Sequence, residues 1–377
     1  MKKYLMTPGP TMIPDDVLLE MAKPIIHHRT KEFQEVLKNT QEGLRYVFQT
    51  QNPVFIFASS GTGGMEACVC NILSSSDKAL VIIAGKFGER WSELCKAYKI
   101  KFEVLNVPEG DCPDPEDVRK ILQKDKIKAV FSTLCETSSG VVSDIEAIGN
   151  ICKEYNSLLV VDAISGLCAD SFFMDTWNVD ACVSGSQKGL MMPPGLCFVA
   201  VSKRVLEEAE KSDLCKYYFS FKKANKAQEK NDTPFTPAIS LIRGLSIALD
   251  RIKKEGLSNV IERHKKLALA TRSAVSALGL SLFAKKPSNA LTSVKVPEGI
   301  DAGKLYNRMK DIYGVNIAKG QGELEDKIFR IAHLGYVEKF DLITTIAALE
   351  MTLSDLGFPV SLGLSVCEVE KALKEQV

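Results

Sequence analysis

The sequence predicts an α/β fold, with a mostly parallel seven-stranded sheet in a large domain followed by a smaller α+β C-terminal domain. Three features carry this. Seven short, nearly continuous apolar runs recur between Val54 and Val201, stretches of helical period separate most of them, and beyond Lys254 long helices replace the alternation. Apolar strands alternating with helices are what a parallel sheet covered on both faces requires, since each strand is buried on two sides.

In chain order, a turn-forming Thr7-Pro8-Gly9-Pro10-Thr11 precedes predicted helices over Asp15 to Lys23 and Lys31 to Phe48. The seven runs are Val54 to Ala58, Ala79 to Ala84, Phe102 to Val107, Ala129 to Thr133, Leu158 to Asp162, Ala181 to Ser184 and Leu196 to Val201. Helical patterns over Gly64 to Leu73, Phe87 to Tyr98, Pro115 to Leu122 and Ile145 to Tyr155 lie between them. Lys216 to Asp232 is polar and lysine-rich and reads as an exposed excursion. Helices are expected from Ala238 to about Lys254, from Leu257 to Leu278 and from Ala302 to Tyr313, with a strand near Ile328 to Ile331 and terminal helices.

The 377 residues carry a formal charge of +1 with acids and bases interspersed, so nothing asks for nucleic acid or an anionic membrane surface. No run is long enough to span a bilayer, and Met1 to Leu5, followed by Pro8-Gly9-Pro10, lacks the apolar core of a signal peptide. Most of the 11 cysteines lie in apolar segments, as reduced, buried thiols do, and none has ligand spacing for zinc; no metal is expected. The expected compartment is the cytoplasm.

Ligands of a parallel sheet collect at the carboxyl ends of its strands, so the polar residues after each run are the ones to weigh. In Ser184-Gly185-Ser186-Gln187-Lys188-Gly189, one lysine sits among small residues just past an apolar strand. Burial there disfavours the ammonium form, and an unprotonated amine condenses with an aldehyde. Ser60-Gly61-Thr62-Gly63-Gly64 opens a helix after the first strand, which reads either as a phosphate cup or as a bare strand-to-helix turn. Asp162, ending a buried strand, needs a cation such as a pyridinium nitrogen, or else caps the next helix. Glu136-Thr137-Ser138-Ser139-Gly140 clusters hydroxyls, and Phe87 is placed to stack on a ring. Arg330, inside an apolar strand, either clamps a carboxylate or forms an internal salt bridge. Together these are the groups that pyridoxal phosphate and an amino-acid substrate need.

In these motifs, in their order, and in Pro193-Pro194-Gly195, Val161-Asp162-Ala163 and Arg330-Ile331, nearly the whole chain resembles the class V aminotransferases of the pyridoxal-phosphate fold type I superfamily, in particular the alanine-glyoxylate and serine-pyruvate group. The resemblance implies a pyridoxal 5'-phosphate enzyme in which Lys188 holds the aldehyde and moves the proton while Asp162 meets the ring nitrogen. Thr62, Gly63, Gly64 and Gln187 would hold the phosphate, Thr137 the ring hydroxyl, and Phe87 the ring face. Arg330 would grip the substrate carboxylate, with the turn at Gly9 lining the substrate side. Some relatives have histidine where Gly64 stands. The family pairs two active sites across a homodimer, and Thr236, in Thr233-Pro234-Phe235-Thr236-Pro237, would reach the neighbour's phosphate.

The implied organisation is an N-terminal segment lining the site (1–14), a large cofactor domain (15–254) and a small C-terminal domain (255–377). The implied reaction passes the amino group of alanine, serine or aspartate to a small 2-oxo acid, glyoxylate or pyruvate, by a ping-pong mechanism. Alternatives are a 2-aminoethylphosphonate-type transaminase, another fold type I enzyme, or a non-catalytic subunit that keeps the fold. Cysteine desulfuration is disfavoured, because the late chain offers only Cys367 as a nucleophile.

Overall fold

A computed structural model describes residues 2–374; Met1 and residues 375–377, the extreme ends of the expected N-terminal segment and C-terminal domain, lie outside the described residues. The seven strands form one sheet in the order Val54–Phe57, Cys197–Val201, Ala181–Gly185, Leu158–Asp162, Ala129–Thr133, Lys78–Ile83, Lys101–Asn106. Only Cys197–Val201 runs against its neighbours. Residues of one strand alternate between two cores: Leu159 and Val161 face the helices Lys31–Phe48, Ile145–Glu154 and Ile239–Glu255, while Val160 faces Gly61–Ile72 and Lys86–Ala97. This two-sided burial is why the central runs are nearly continuously apolar.

The chain from Leu257 onward builds a separate core around a three-stranded antiparallel sheet, in the order Leu291–Lys295, Ile328–Ala332, Ala318–Lys319. Helices Leu257–Ala277, Ala302–Asp311, Lys339–Asp355 and Leu364–Lys374 pack on it. The N-terminal arm belongs to this side: Tyr4–Leu5 pairs in parallel with Val315–Asn316, and Ala332 donates its N–H to the Met6 carbonyl at 2.9 Å. From there the Pro8-Gly9-Pro10 turn crosses to Lys188.

The excursion expected over residues 216–232 is corrected in part. A helix, Phe221–Gln228, forms there, capped by Ser220, with Phe221 and Ala224 buried against the sheet-side core. Two apolar anchors among lysines are enough to dock a short helix, and so sparse a pattern does not show as a helical period. Arg29 forms an ion pair with Asp232 at the edge of this segment.

Candidate active site

Lys188 stands three residues past the strand Ala181–Gly185, in a loop that closes on itself. The Ser186 hydroxyl donates to the Pro193 carbonyl at 2.6 Å and accepts from Leu196 N–H at 3.2 Å, and the Lys188 carbonyl accepts from Met191 N–H and Thr11 Oγ1 at 3.0 and 3.1 Å. Gly189 must lack a side chain, since a Cβ there would lie 2.3 Å from the Leu167 carbonyl oxygen. The backbone is thus fixed, and the amine projects to the Pro8 carbonyl, to which it donates. With Lys188 only 8 % exposed, burial lowers its pKa to about 8.

Lys188 shares an open cavity of about 450 Å³ with Gly9, Phe87, Thr137, Tyr306, Lys319 and Arg330. Arg330 lies in the strand Ile328–Ala332 and is 4 % exposed. Its Nε and Nη2 donate to the Lys319 carbonyl at 2.9 and 2.6 Å, and its Nη1 donates to the Thr137 carbonyl at 2.7 Å. Among the described residues no carboxylate pairs with it, so the internal salt bridge weighed from sequence is absent. Burial lowers its pKa to about 10, which leaves it charged. A buried guanidinium held only by carbonyls is ready for an anion.

Asp162 is 2 % exposed and accepts one hydrogen bond, from Ile164 N–H at 2.8 Å; turns rather than a helix follow it. Burial, reinforced by Glu136, raises its pKa to about 7 against the pull of that N–H and of Lys188. A buried carboxylate with no cation bonded to it is costly, and a protonated ring nitrogen would relieve it. Thr137 Oγ1 lies 2.5 Å from Ser165 Oγ. Glu136 accepts from the N–H groups of Phe87 and Gly88 at 3.1 and 3.0 Å and from the Ser138 hydroxyl at 2.5 Å. It therefore caps the helix Lys86–Ala97, whose own N-cap, Gly85, has no side chain to do so, and fixes Phe87 at the cavity wall.

The helix Gly61–Ile72 begins with no acidic residue in its first turn and no side-chain hydrogen bond from its Ser60 cap; Gly63 N–H donates to the Ser60 carbonyl at 2.9 Å. Thr62 and Gly63 are half-buried there, and a Cβ on Gly63 would meet Ser59 Oγ at 2.5 Å. Gly64 faces the sheet instead: a Cβ would lie 2.7 Å from Val183 Cγ1, so no side chain fits at this position, histidine included. Gln187 Oε1 is buried without a partner. A helix first turn with no side-chain cap, a buried carboxylate with no cation bonded to it and a buried amine fit pyridoxal phosphate in its three parts: phosphate, ring nitrogen and aldehyde. Thr236 is not in this cavity; it lines a separate hollow with Phe57, Leu196, Tyr218 and Phe235. Sequence reasoning gave no role to Glu136, Ser165, the Pro8 carbonyl, Tyr306 or Lys319. Glu136 sat inside a motif already singled out and Ser165 lies three residues past Asp162, whereas nothing in the sequence marked the last two.

A buried lysine amine past one strand and a buried arginine within another share this cavity, and the family match gives the class, an aminotransferase. The aminotransferase class-V family profile matches residues 3–323, and the chain belongs to that family. It is 42 % identical over 363 residues to a Synechococcus protein named soluble hydrogenase, small subunit, covering 95 % of this chain and 94 % of the relative. It is 36 % identical over 377 residues to L-aspartate–glyoxylate aminotransferase of Paracoccus denitrificans, covering 98 % and 95 %. The crystal structure of ureidoglycine–glyoxylate aminotransferase from Bacillus subtilis superposes with a TM-score of 0.96 at 27 % identity, covering 99 % of this chain and 98 % of that one.

Proposed function

We propose that this aminotransferase passes the amino group of a small L-amino acid, with alanine, serine and aspartate as candidates, to glyoxylate or pyruvate in two half-reactions. The observation that carries the reading is a buried lysine amine and a buried arginine with no acidic partner on the walls of one cavity. Pyridoxal phosphate, when bound, supplies an aldehyde that takes up the amino group and a ring that withdraws electrons from it. Arg330 binds the substrate carboxylate and so orients the Cα hydrogen toward Lys188. Lys188 Nζ takes that proton and returns it at the neighbouring carbon. Asp162 holds the ring-nitrogen proton, Thr137 the ring hydroxyl and Phe87 the ring face, while Thr62, Gly63, the Gly64 N–H and Gln187 receive the phosphate.

In the same reading, residues 1–14 line the site, 15–254 form the cofactor domain and 255–377 the small domain. The enzyme works as a cytoplasmic homodimer in which Thr236, exposed and outside its own cavity, serves the neighbouring site. The test is a donor-by-acceptor activity screen on the purified protein, with borohydride reduction and peptide mapping of the loaded enzyme. A label on any lysine other than Lys188 refutes the assignment. The name of the Synechococcus relative favours a second role, as a subunit of a larger assembly. Absorbance of the loaded enzyme that no amino acid changes would favour that role over turnover.

A further inference from the structure

The sheet-side core and the core built from Leu257 onward meet across a small apolar seam of Cys135, Ala169, Ala290, Leu291, Ala332 and Leu334. Beside that seam lies an acidic side chain that the proposed reaction does not use. Asp170, buried, comes from the turns that follow Asp162. It accepts from the Ser288 hydroxyl and, at 2.8 Å, from the Asn289 N–H. No cation is bonded to it among the described residues; Arg272, whose Nη2 donates to the Ser288 carbonyl, compensates it only through its charge. Burial raises the pKa of this carboxyl, and an apolar side chain would fill the place at less cost. What the carboxylate supplies is a fixed position for Ser288 and Asn289.

From those residues two routes lead to the carboxylate clamp. Along the chain, Asn289 runs into the strand Leu291–Lys295, which pairs with Ile328–Ala332 and sets Ser293 across from Arg330. Across the chain, the Asn289 carbonyl lies 2.6 Å from Nδ1 of His333, three residues past Arg330, and Thr292 Oγ1 lies 2.9 Å from His333 Nε2. His333 is buried and neutral; because a carbonyl can only accept, its proton sits on Nδ1, and the Thr292 hydroxyl donates to Nε2. The backbone is pinned to the sheet-side core as well: Ser288 N–H donates to the Gly140 carbonyl and Val142 N–H to the Lys286 carbonyl, each at 2.9 Å. The strand of Arg330 is thereby fixed relative to the turn that carries Thr137.

We propose that Asp170 is a positioning residue for the carboxylate clamp: by holding Ser288 and Asn289 it sets the place of the Arg330 guanidinium in the cavity shared with Lys188. This rests on the transaminase reading above for the use of Arg330 and adds the residue that places it. A misplacement of about 1 Å costs up to about a hundredfold in rate, and the group that prevents it need not touch the substrate.

The test uses the full-length enzyme loaded with pyridoxal phosphate, as wild type, Asp170→Ala, Asp170→Asn and Ser288→Ala. Calorimetric titration with propionate, an unreactive carboxylate, reads the clamp without turnover, and KM and kcat for L-alanine read it during turnover. Absorbance titration of the cofactor-free proteins reads the affinity for pyridoxal phosphate. We expect Asp170→Ala to weaken propionate binding and raise KM roughly tenfold, with cofactor affinity at the wild-type value. Asparagine keeps an acceptor for the Asn289 N–H, so Asp170→Asn should recover most of the loss, and Ser288→Ala, which removes one bond of the two, should lose less than Asp170→Ala. Propionate affinity and KM unmoved in Asp170→Ala, or cofactor affinity falling as far as propionate affinity, overturns the proposal. Should Asp170→Ala not fold, Ser288→Ala decides, and a propionate affinity equal to wild type overturns it. If propionate affinity falls as expected while no amino donor turns over, the transaminase reading fails and the positioning role stands.

Discussion

Replacing Asp162 by asparagine should stabilise the cofactor-free protein at alkaline pH, even though it removes the carboxylate proposed to meet the ring nitrogen. Burial moves this carboxyl from its ordinary 3.8 to about 7. At about 1.36 kcal/mol per pH unit that displacement costs the fold about 4 kcal/mol once the group is ionised. The sign follows from proton binding. Between pH 3.8 and 7 the folded chain keeps a proton that the unfolded chain releases, so this group's contribution falls as pH rises through that window and is lowest above it. Asparagine cannot ionise, yet its carbonyl oxygen still accepts from Ile164 N–H; its amide donors, left unpaired, cost about 1–3 kcal/mol at every pH. Between pH 5 and 8 the stability of Asp162→Asn relative to wild type should therefore improve by about 3 kcal/mol. Urea unfolding of both cofactor-free proteins at the two pH values measures this. Parallel pH curves would show that the carboxylate has a compensating partner and would refute the argument. Adding pyridoxal phosphate should reverse the ranking, because only the wild type offers the ring nitrogen an anion.

The remaining expectations concern the groups around Lys188. With the amine's pKa at about 8, its reactive form grows as pH rises toward 8; capture of pyridoxal phosphate by the cofactor-free enzyme should quicken about tenfold from pH 6 to 7, flatten above 8 and vanish in Lys188→Ala, as stopped-flow absorbance would record. Gly9 has φ +111°, and a Cβ there would lie 2.4 Å from Lys188 Cε, so Gly9→Ala should displace the lysine and cost about a hundredfold in kcat while circular dichroism stays native. Glu136→Ala strands the buried N–H groups of Phe87 and Gly88 and should lower stability by about 1–3 kcal/mol per lost partner, with weaker cofactor retention on gel filtration; Glu136→Gln, which keeps an acceptor oxygen, should recover part of both.

The alternation of apolar runs and helical stretches was enough to predict the sheet, because a strand buried on both faces is apolar at nearly every position, as Leu158 to Val161 and Ala181 to Val183 are. Lys188, Asp162 and the glycine-rich turn at Gly61 were legible for a related reason: each departs from its surroundings at a strand end, where polar groups need a ligand to justify them. Arg330 was legible as an exception but not as a clamp, since an arginine in a strand is equally consistent with a salt bridge. The finding that carbonyls hold it, with no acid bonded to it among the described residues, argues only against the salt bridge.

Local composition thus set which residues are buried and which polar groups sit at the ends of strands, because burial period and turn chemistry are written within a few neighbouring residues. The fold alone decided that the Pro8 carbonyl meets Lys188, that Glu136 caps a helix begun fifty residues earlier, and that the Lys319 and Thr137 carbonyls hold Arg330. Contacts of that kind depend on how separate cores dock, and no short-range pattern along the chain encodes the distance between them.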